Sequence, residues 1–215
     1  MFLPDYFDEL TPADRFTVTR LPQHRRAGVG VALLGLRENR HLEAIERHYP
    51  PEAITRPVTA LAEVETRPDG TRAIRIRLFS ALYHESALVD GRPQTLAADF
   101  SVPWVALLER AGALRGSWLT GLLDSQPKRE AQLYLMEPYD PRKTPLLLVH
   151  GLIATPAAWA ETTNQLWADP AARRRYQVWH YHYPTSAPWL VVPTGHRAFE
   201  HPAAVAEIRR ILGLP

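Results

Sequence analysis

Two short stretches of this chain carry residues at spacings suited to acyl chemistry. Pro145-Leu146-Leu147-Leu148-Val149-His150-Gly151-Leu152 reads as a buried strand running directly into His-Gly. In acyl transfer a carbonyl oxygen becomes an oxyanion, and backbone N–H groups held in a dry turn are efficient donors to it. A strand ending in His150-Gly151 fits that task because glycine permits a sharp turn. The donor is then the backbone N–H of Leu152, with His150 buttressing the loop; the plainer reading is an ordinary strand-to-helix turn. The second stretch is Leu190-Val191-Val192-Pro193-Thr194-Gly195-His196. A general base for a serine nucleophile usually sits on a loop after the last strand and before the last helix, and His196 occupies such a place. A surface or capping histidine is the plainer reading there.

The nucleophile that would join them is missing from the pattern. The serines are Ser80, Ser86, Ser101, Ser117, Ser125 and Ser186, and none has glycine two residues away on both sides. Ser117 comes nearest, with Gly116 beside it, but Arg115 and Leu119 hold the required positions. With no cysteine, disulfides, thiolate catalysis and zinc–thiolate sites are excluded. His180-Tyr181-His182 sets two imidazoles on one strand face, a metal pattern that lacks a third ligand at a diagnostic spacing. A polar-aromatic strand near a sheet's end explains it as well. His196, Glu200 and His201 miss the His-x-x-Glu-His spacing by one residue. After Gly28-Val29-Gly30 the third glycine of a dinucleotide fingerprint falls on Leu33, so that motif fails.

The elements that must position these residues follow from periodicity. Leu146–Val149 is a short apolar run of the kind found inside a parallel sheet covered on both faces. Thr155 can cap a helix with Pro156 at its first position, and Asp169-Pro170 ends it. Tyr176–Tyr183 then follows as a strand, which makes a β-α-β unit with parallel strands. Gln132–Met136 precedes it as a further strand. Upstream, Ile74, Ile76 and Leu78 alternate with Arg75 and Arg77, the pattern of a strand with one wet face. Asp69-Gly70 turns it back on Ala60–Thr66, and Asp90-Gly91 predicts a second pair, Ser86–Val89 with Pro93–Ala97. Arg40–His48, Pro103–Gly112 and Trp118–Leu123 read as helices. Trp189–Val192 is a last strand, and a last helix runs from about Pro202 to Leu212, stopping at Gly213.

The 215 residues suit one domain, or one with a sizeable extension, and can bury a real core. The apolar runs reach about five residues, so no transmembrane segment is expected. Met1-Phe2-Leu3-Pro4-Asp5 has neither a basic nor an apolar leader region, which suggests a cytoplasmic chain without a signal peptide. A formal net charge of +2, carried almost wholly by arginine, gives no nucleic-acid signature. Arg25-Arg26 and Arg173-Arg174-Arg175 are the tightest basic clusters and read as solvated turns.

Taken in order, Glu137-Pro138-Tyr139-Asp140-Pro141, Leu148-Val149-His150-Gly151-Leu152 and Tyr183-Pro184-Thr185 resemble the core of bacterial α/β-hydrolases of the esterase/lipase type. Val191–Leu212 is similar to the C-terminal end of that family, and Gly28–Arg40 with Tyr49–Thr59 to the N-terminal region of one group within it. The resemblance implies a carboxylic-ester hydrolase with a Ser-His-Asp/Glu triad, no cofactor, and a small ester or lipid substrate. It implies His196 as base and His150, Gly151 and Leu152 as the oxyanion corner. The fold expected is α/β: residues 1–130 form an α+β extension with hairpins and short helices, and residues 131–215 a partial hydrolase sheet. The departure from the family is large. Only Pro184–Pro188 separates Tyr183 from Trp189, where the family has the nucleophile elbow, further strands and the acid. Five residues are too few for a parallel crossover, so Trp189–Val192 is expected antiparallel to Tyr176–Tyr183 or off the sheet. The expectation is a hydrolase-family chain of impaired or absent activity. The alternative is a non-enzymatic remnant or binding module that associates with itself through exposed sheet edges.

Overall fold

The computed structural model describes residues 1–3, 5–111, 131–151, 156–183 and 202. These residues form a mixed α/β arrangement with a four-stranded antiparallel sheet and a three-stranded mixed sheet. In the first sheet β1 (Glu9–Pro12) pairs with β3 (Val31–Arg37), β3 with β4 (Ile54–Thr66), and β4 with β5 (Arg72–Ser80). A two-residue strand β2 (Arg25–Arg26) pairs with β8 (Ala98–Asp99). Both predicted hairpins form. Gly70 turns β4 into β5 with φ of 80°, and Asp69 Oδ1 accepts from the Thr71 N–H at 2.9 Å. β6 (Ser86–Val89) and β7 (Arg92–Thr95) are joined by Asp90 and Gly91, both in the left-handed region that a two-residue type I′ turn requires.

Three elements depart from the sequence expectation. The helix predicted over Arg40–His48 is a single 3-10 stretch, Ala44–His48, because His41 takes a positive φ of 53° and Glu43 is extended, so the first turn does not form. The wet face expected on β5 is only half of its solvent contact. Leu78 is buried, but Ile74 and Ile76 face solvent beside Val64, since the outer half of the β4–β5 ribbon extends past the core. Glu63–Arg77 and Glu65–Arg75 ion pairs cover its opposite face. The N-terminal strands β1 and β3 were not among the expected elements.

The second sheet has the order β10-β11-β9, with β9 (Gln132–Leu135), β10 (Thr144–Val149) and β11 (Tyr176–His182). β10 and β11 are parallel in continuous register from Thr144↔Tyr176 to Val149↔Tyr181, while β9 runs antiparallel to β11. Between the parallel strands lie α2 (Ala160–Ala168) and α3 (Pro170–Arg175), after α1 (Val102–Arg110) earlier in the chain. Asp169 caps α3 by accepting from the N–H groups of Ala171 and Ala172, and Pro170 opens it. The predicted β-α-β unit is therefore present. The last strand and last helix of the sequence reading, the Trp118–Leu123 helix and the Thr155 cap lie outside the described residues.

One core cluster unites residues from both sides of position 130. Trp104 and Leu108 of α1 and Phe100 pack with Tyr134, Met136, Ala160 and Trp167. The opposite face of β9 and β11 is covered by Tyr49, Ile54 and Ile45 against Leu133, Leu135 and Trp179. β11 is thus buried on both faces. β10 is not, contrary to the reading of its apolar run. It lies at the edge of the described sheet, and its Leu147 and Val149 are 51% and 47% exposed.

Candidate functional site

The parallel register brings the ends of β10 and β11 together, and there the chain places His150 and Tyr183. The His150 ring is 2% exposed and stacks on the Tyr183 ring, centroids 4.5 Å apart and planes 6° off parallel. The Tyr183 backbone N–H donates to His150 Nε2 at 3.3 Å, so the proton of a neutral ring sits on Nδ1. From there it donates to the Gly151 carbonyl at 3.0 Å. The Tyr183 hydroxyl closes the clamp by donating to the His150 carbonyl at 2.9 Å. Both ring nitrogens are spent on backbone, so His150 fixes the end of β10 to the end of β11 and has no role left in proton transfer.

Two more histidines continue the same strand face inward. The His182 ring lies 5.7 Å from that of His150. His180 is 1% exposed, stacks on Trp104 at 5.7 Å, and sits 2.9 Å from Thr163 Oγ1. Thr163 donates its own proton to the Trp159 carbonyl, so His180 Nε2–H is the donor to Thr163. Burial drops the His180 pKa from 6.5 to about 4, and the neighbouring His150 pushes in the same direction. This hydroxyl–imidazole pair was not foreseen from sequence. Both partners are closed off from solvent, so it is a core contact and no nucleophile for an outside substrate.

Gly151 differs from the other glycines. Gly30 has a φ of 85°, and a Cβ on Gly28 would lie 2.2 Å from the Thr95 carbonyl oxygen. Gly151 has no positive φ, and a Cβ there would meet nothing within 4 Å among the described residues. Neither backbone conformation nor packing demands glycine at 151. Among the described residues, the space a side chain at 151 would fill is open.

The remaining predicted site residues fall unevenly. Leu152, Gly195 and His196 lie outside the described residues, as do Ser117, Ser125 and Ser186. Ser101 is fully buried, accepting from the His24 N–H and donating to the Pro22 carbonyl. Ser86 lies on the exposed ribbon β6, and Ser80 Oγ is buried without a partner. Among the described residues no serine hydroxyl bonds to an imidazole nitrogen, and no three His, Asp or Glu side chains converge as a metal set.

At the opposite end of the sheet a polar cluster anchors the start of β10. Lys143 and Glu137 form a buried ion pair at 2.7 Å, and the ammonium lies 4.5 Å from the Tyr83 ring centroid. Tyr83 donates to the Pro138 carbonyl, and burial beside the Glu137 carboxylate pushes its hydroxyl well above the usual phenol range. Gln177 of β11 spans the loop, donating to the carbonyls of Asp140 and Lys143 and accepting from the Asp140 N–H. Arg142 holds the Asp140 carboxyl down at about 2. The lysine pairing had one sequence signal: Lys143 is one of two lysines in an arginine-rich chain. Both ends of β10 are therefore pinned to β11, and His150-Gly151 stands at the end of the strand. Compared with known proteins, the chain matches no family model, no curated protein and no solved structure.

Proposed function

We propose that this chain is related to the serine-type carboxylic-ester hydrolases of the α/β-hydrolase family. In this reading the His150-Gly151-Leu152 turn is its carbonyl-binding corner, and His196 descends from the general base. The observation that carries the reading is the clamp at the carboxyl ends of parallel β10 and β11. Ligands of open α/β sheets bind outside those strand ends. A donor turn acts on a developing oxyanion only if it is held in place before the reaction. His150 supplies that rigidity, and the missing side chain at Gly151 supplies room for an acyl group. The small ester or lipid substrate follows from the resemblance, and no cofactor is needed for such chemistry. Without a Gly-x-Ser-x-Gly turn the chain binds an ester carbonyl but is impaired in turnover.

A fluorophosphonate probe read by intact mass, beside hydrolysis of a short-chain chromogenic ester, tests this. The expected result is no stoichiometric adduct and no hydrolysis above that of His196→Ala. A one-to-one serine adduct lost in His196→Ala would overturn the impaired-turnover reading.

One observation favours a second reading, a binding module without catalysis. β10 stands at the edge of the sheet among the described residues and exposes Leu147 and Val149, and edge strands of this kind recruit further strands. Sedimentation of wild type against Leu147→Lys separates the two: self-association abolished by the lysine supports the module, and a monomer at all concentrations removes it.

A further inference from the structure

Arg56 lies in the middle of β4 with 2% of its surface exposed, among the largest fully buried side chains of the molecule. Its Nη1 donates to the carbonyls of Thr55 and Met136, at 2.9 and 3.1 Å. Its Nε and Nη2 are buried and meet full hydrogen-bond geometry with no group among the described residues, although the Tyr49 hydroxyl lies near enough to feel the guanidinium. No carboxylate pairs with it among the described residues; its nearest compensation is the Tyr49 ring, 4.9 Å from the guanidinium carbon. Arg56 lines a small, partly open cavity together with Trp104, Trp167, Leu107 and Met136. The indole N–H groups of Trp104 and Trp167 are likewise buried and without acceptors among the described residues. The space open to the centre of a water-sized sphere is about 10 Å³, enough for one particle.

Donors without acceptors around one cavity call for an occupant, since nearly all buried N–H groups in folded proteins are paired. Its charge follows from electrostatics. A water would accept from some of these donors but would leave the guanidinium with the Tyr49 ring and two carbonyls as its compensation and no counter-charge among the described residues, and a buried cation without a counter-charge is far costlier than a buried neutral donor. An anion meets both needs at once. The cavity admits one small particle, which excludes phosphate and larger carboxylates. We propose that this cavity is a binding site for a monatomic halide, chloride in ordinary solution, held by Arg56 and the indoles of Trp104 and Trp167. Because Arg56 also bonds to Met136, next to β9, the bound anion consolidates the junction between β4 and the second sheet.

The test uses the intact chain melted in sodium chloride and in sodium gluconate at matched ionic strength. Chloride at ten times its Kd raises the Tm by about 3–5 °C in a saturable curve. The rise is lost in Arg56→Met. Bromide replaces chloride, and an anomalous bromide peak in the cavity of wild-type crystals locates the site even if Arg56→Met fails to fold. Equal melting in the two salts, or a cavity holding water with no bromide peak, would overturn the proposal.

Discussion

His180 makes the stability of this chain depend on pH in a way that can be isolated. In the folded state its ring is buried between Trp104 and Thr163 and stays neutral down to about pH 4. In the unfolded chain it takes a proton near 6.5. The unfolded state therefore binds more protons between these values, and stability falls as pH drops through that window. Above pH 6.5 the contribution is fully present; below about 4 the folded state is protonated too and the loss levels off. A separation of about 2.5 pH units, at roughly 1.4 kcal/mol each, sets a ceiling of about 3 kcal/mol. His84 is also lowered by burial and acts in the same direction, so the readout must be a difference. His180→Gln keeps an N–H donor for Thr163 and removes the titration. Urea unfolding followed by tryptophan fluorescence at pH 7.5, 6.0, 5.0 and 4.5 measures both proteins. Wild type should lose about 2–3 kcal/mol more than His180→Gln between the extremes. Parallel loss in the two proteins would refute a buried neutral His180.

Three other outcomes follow from the packing. Lys143→Met leaves Glu137 buried without its partner and should cost about 3–5 kcal/mol in urea melts, much of it recovered in Lys143→Met with Glu137→Leu. Gly28→Ala drives a Cβ into the Thr95 carbonyl and should cost about 1–3 kcal/mol, whereas Gly151→Ala should stay within about 0.5 kcal/mol. Asp169→Ala removes the cap of α3 and should lower the urea midpoint; because its two N–H bonds hold the carboxyl below its ordinary value, this contribution also fades as pH falls toward the acid limit.

What the sequence could declare was local. Asp69-Gly70 and Asp90-Gly91 specify their hairpins because φ is positive at Gly70 and at both Asp90 and Gly91. The Asp169-Pro170 break and the two flanking strands specify the β-α-β unit in the same way. Long-range partners were not declared. Nothing in Leu146–Val149 says that one side of the strand lacks a neighbour among the described residues, since an apolar run reads alike at the centre and at the edge of a sheet. β1 and β3 were missed because their pairing partners lie outside any local window. His180 was visible as a histidine on a strand, but its burial depends on Trp104, more than seventy residues earlier. Within the candidate site, the place of His150 and Gly151 at the end of a strand was legible. The Tyr183 clamp was not, because it exists only through the parallel register.

The central claim is that the His150-Gly151-Leu152 turn offers its backbone donors to an ester carbonyl. A two-dimensional ¹H–¹⁵N NMR titration of the intact chain with a short-chain ester tests it most directly. The result expected is a saturable shift of the Gly151 and Leu152 amides, with a smaller one at Tyr183, lost in Gly151→Val while the remaining spectrum is preserved. Amides at the strand ends that stay still at the highest ester concentration would contradict it.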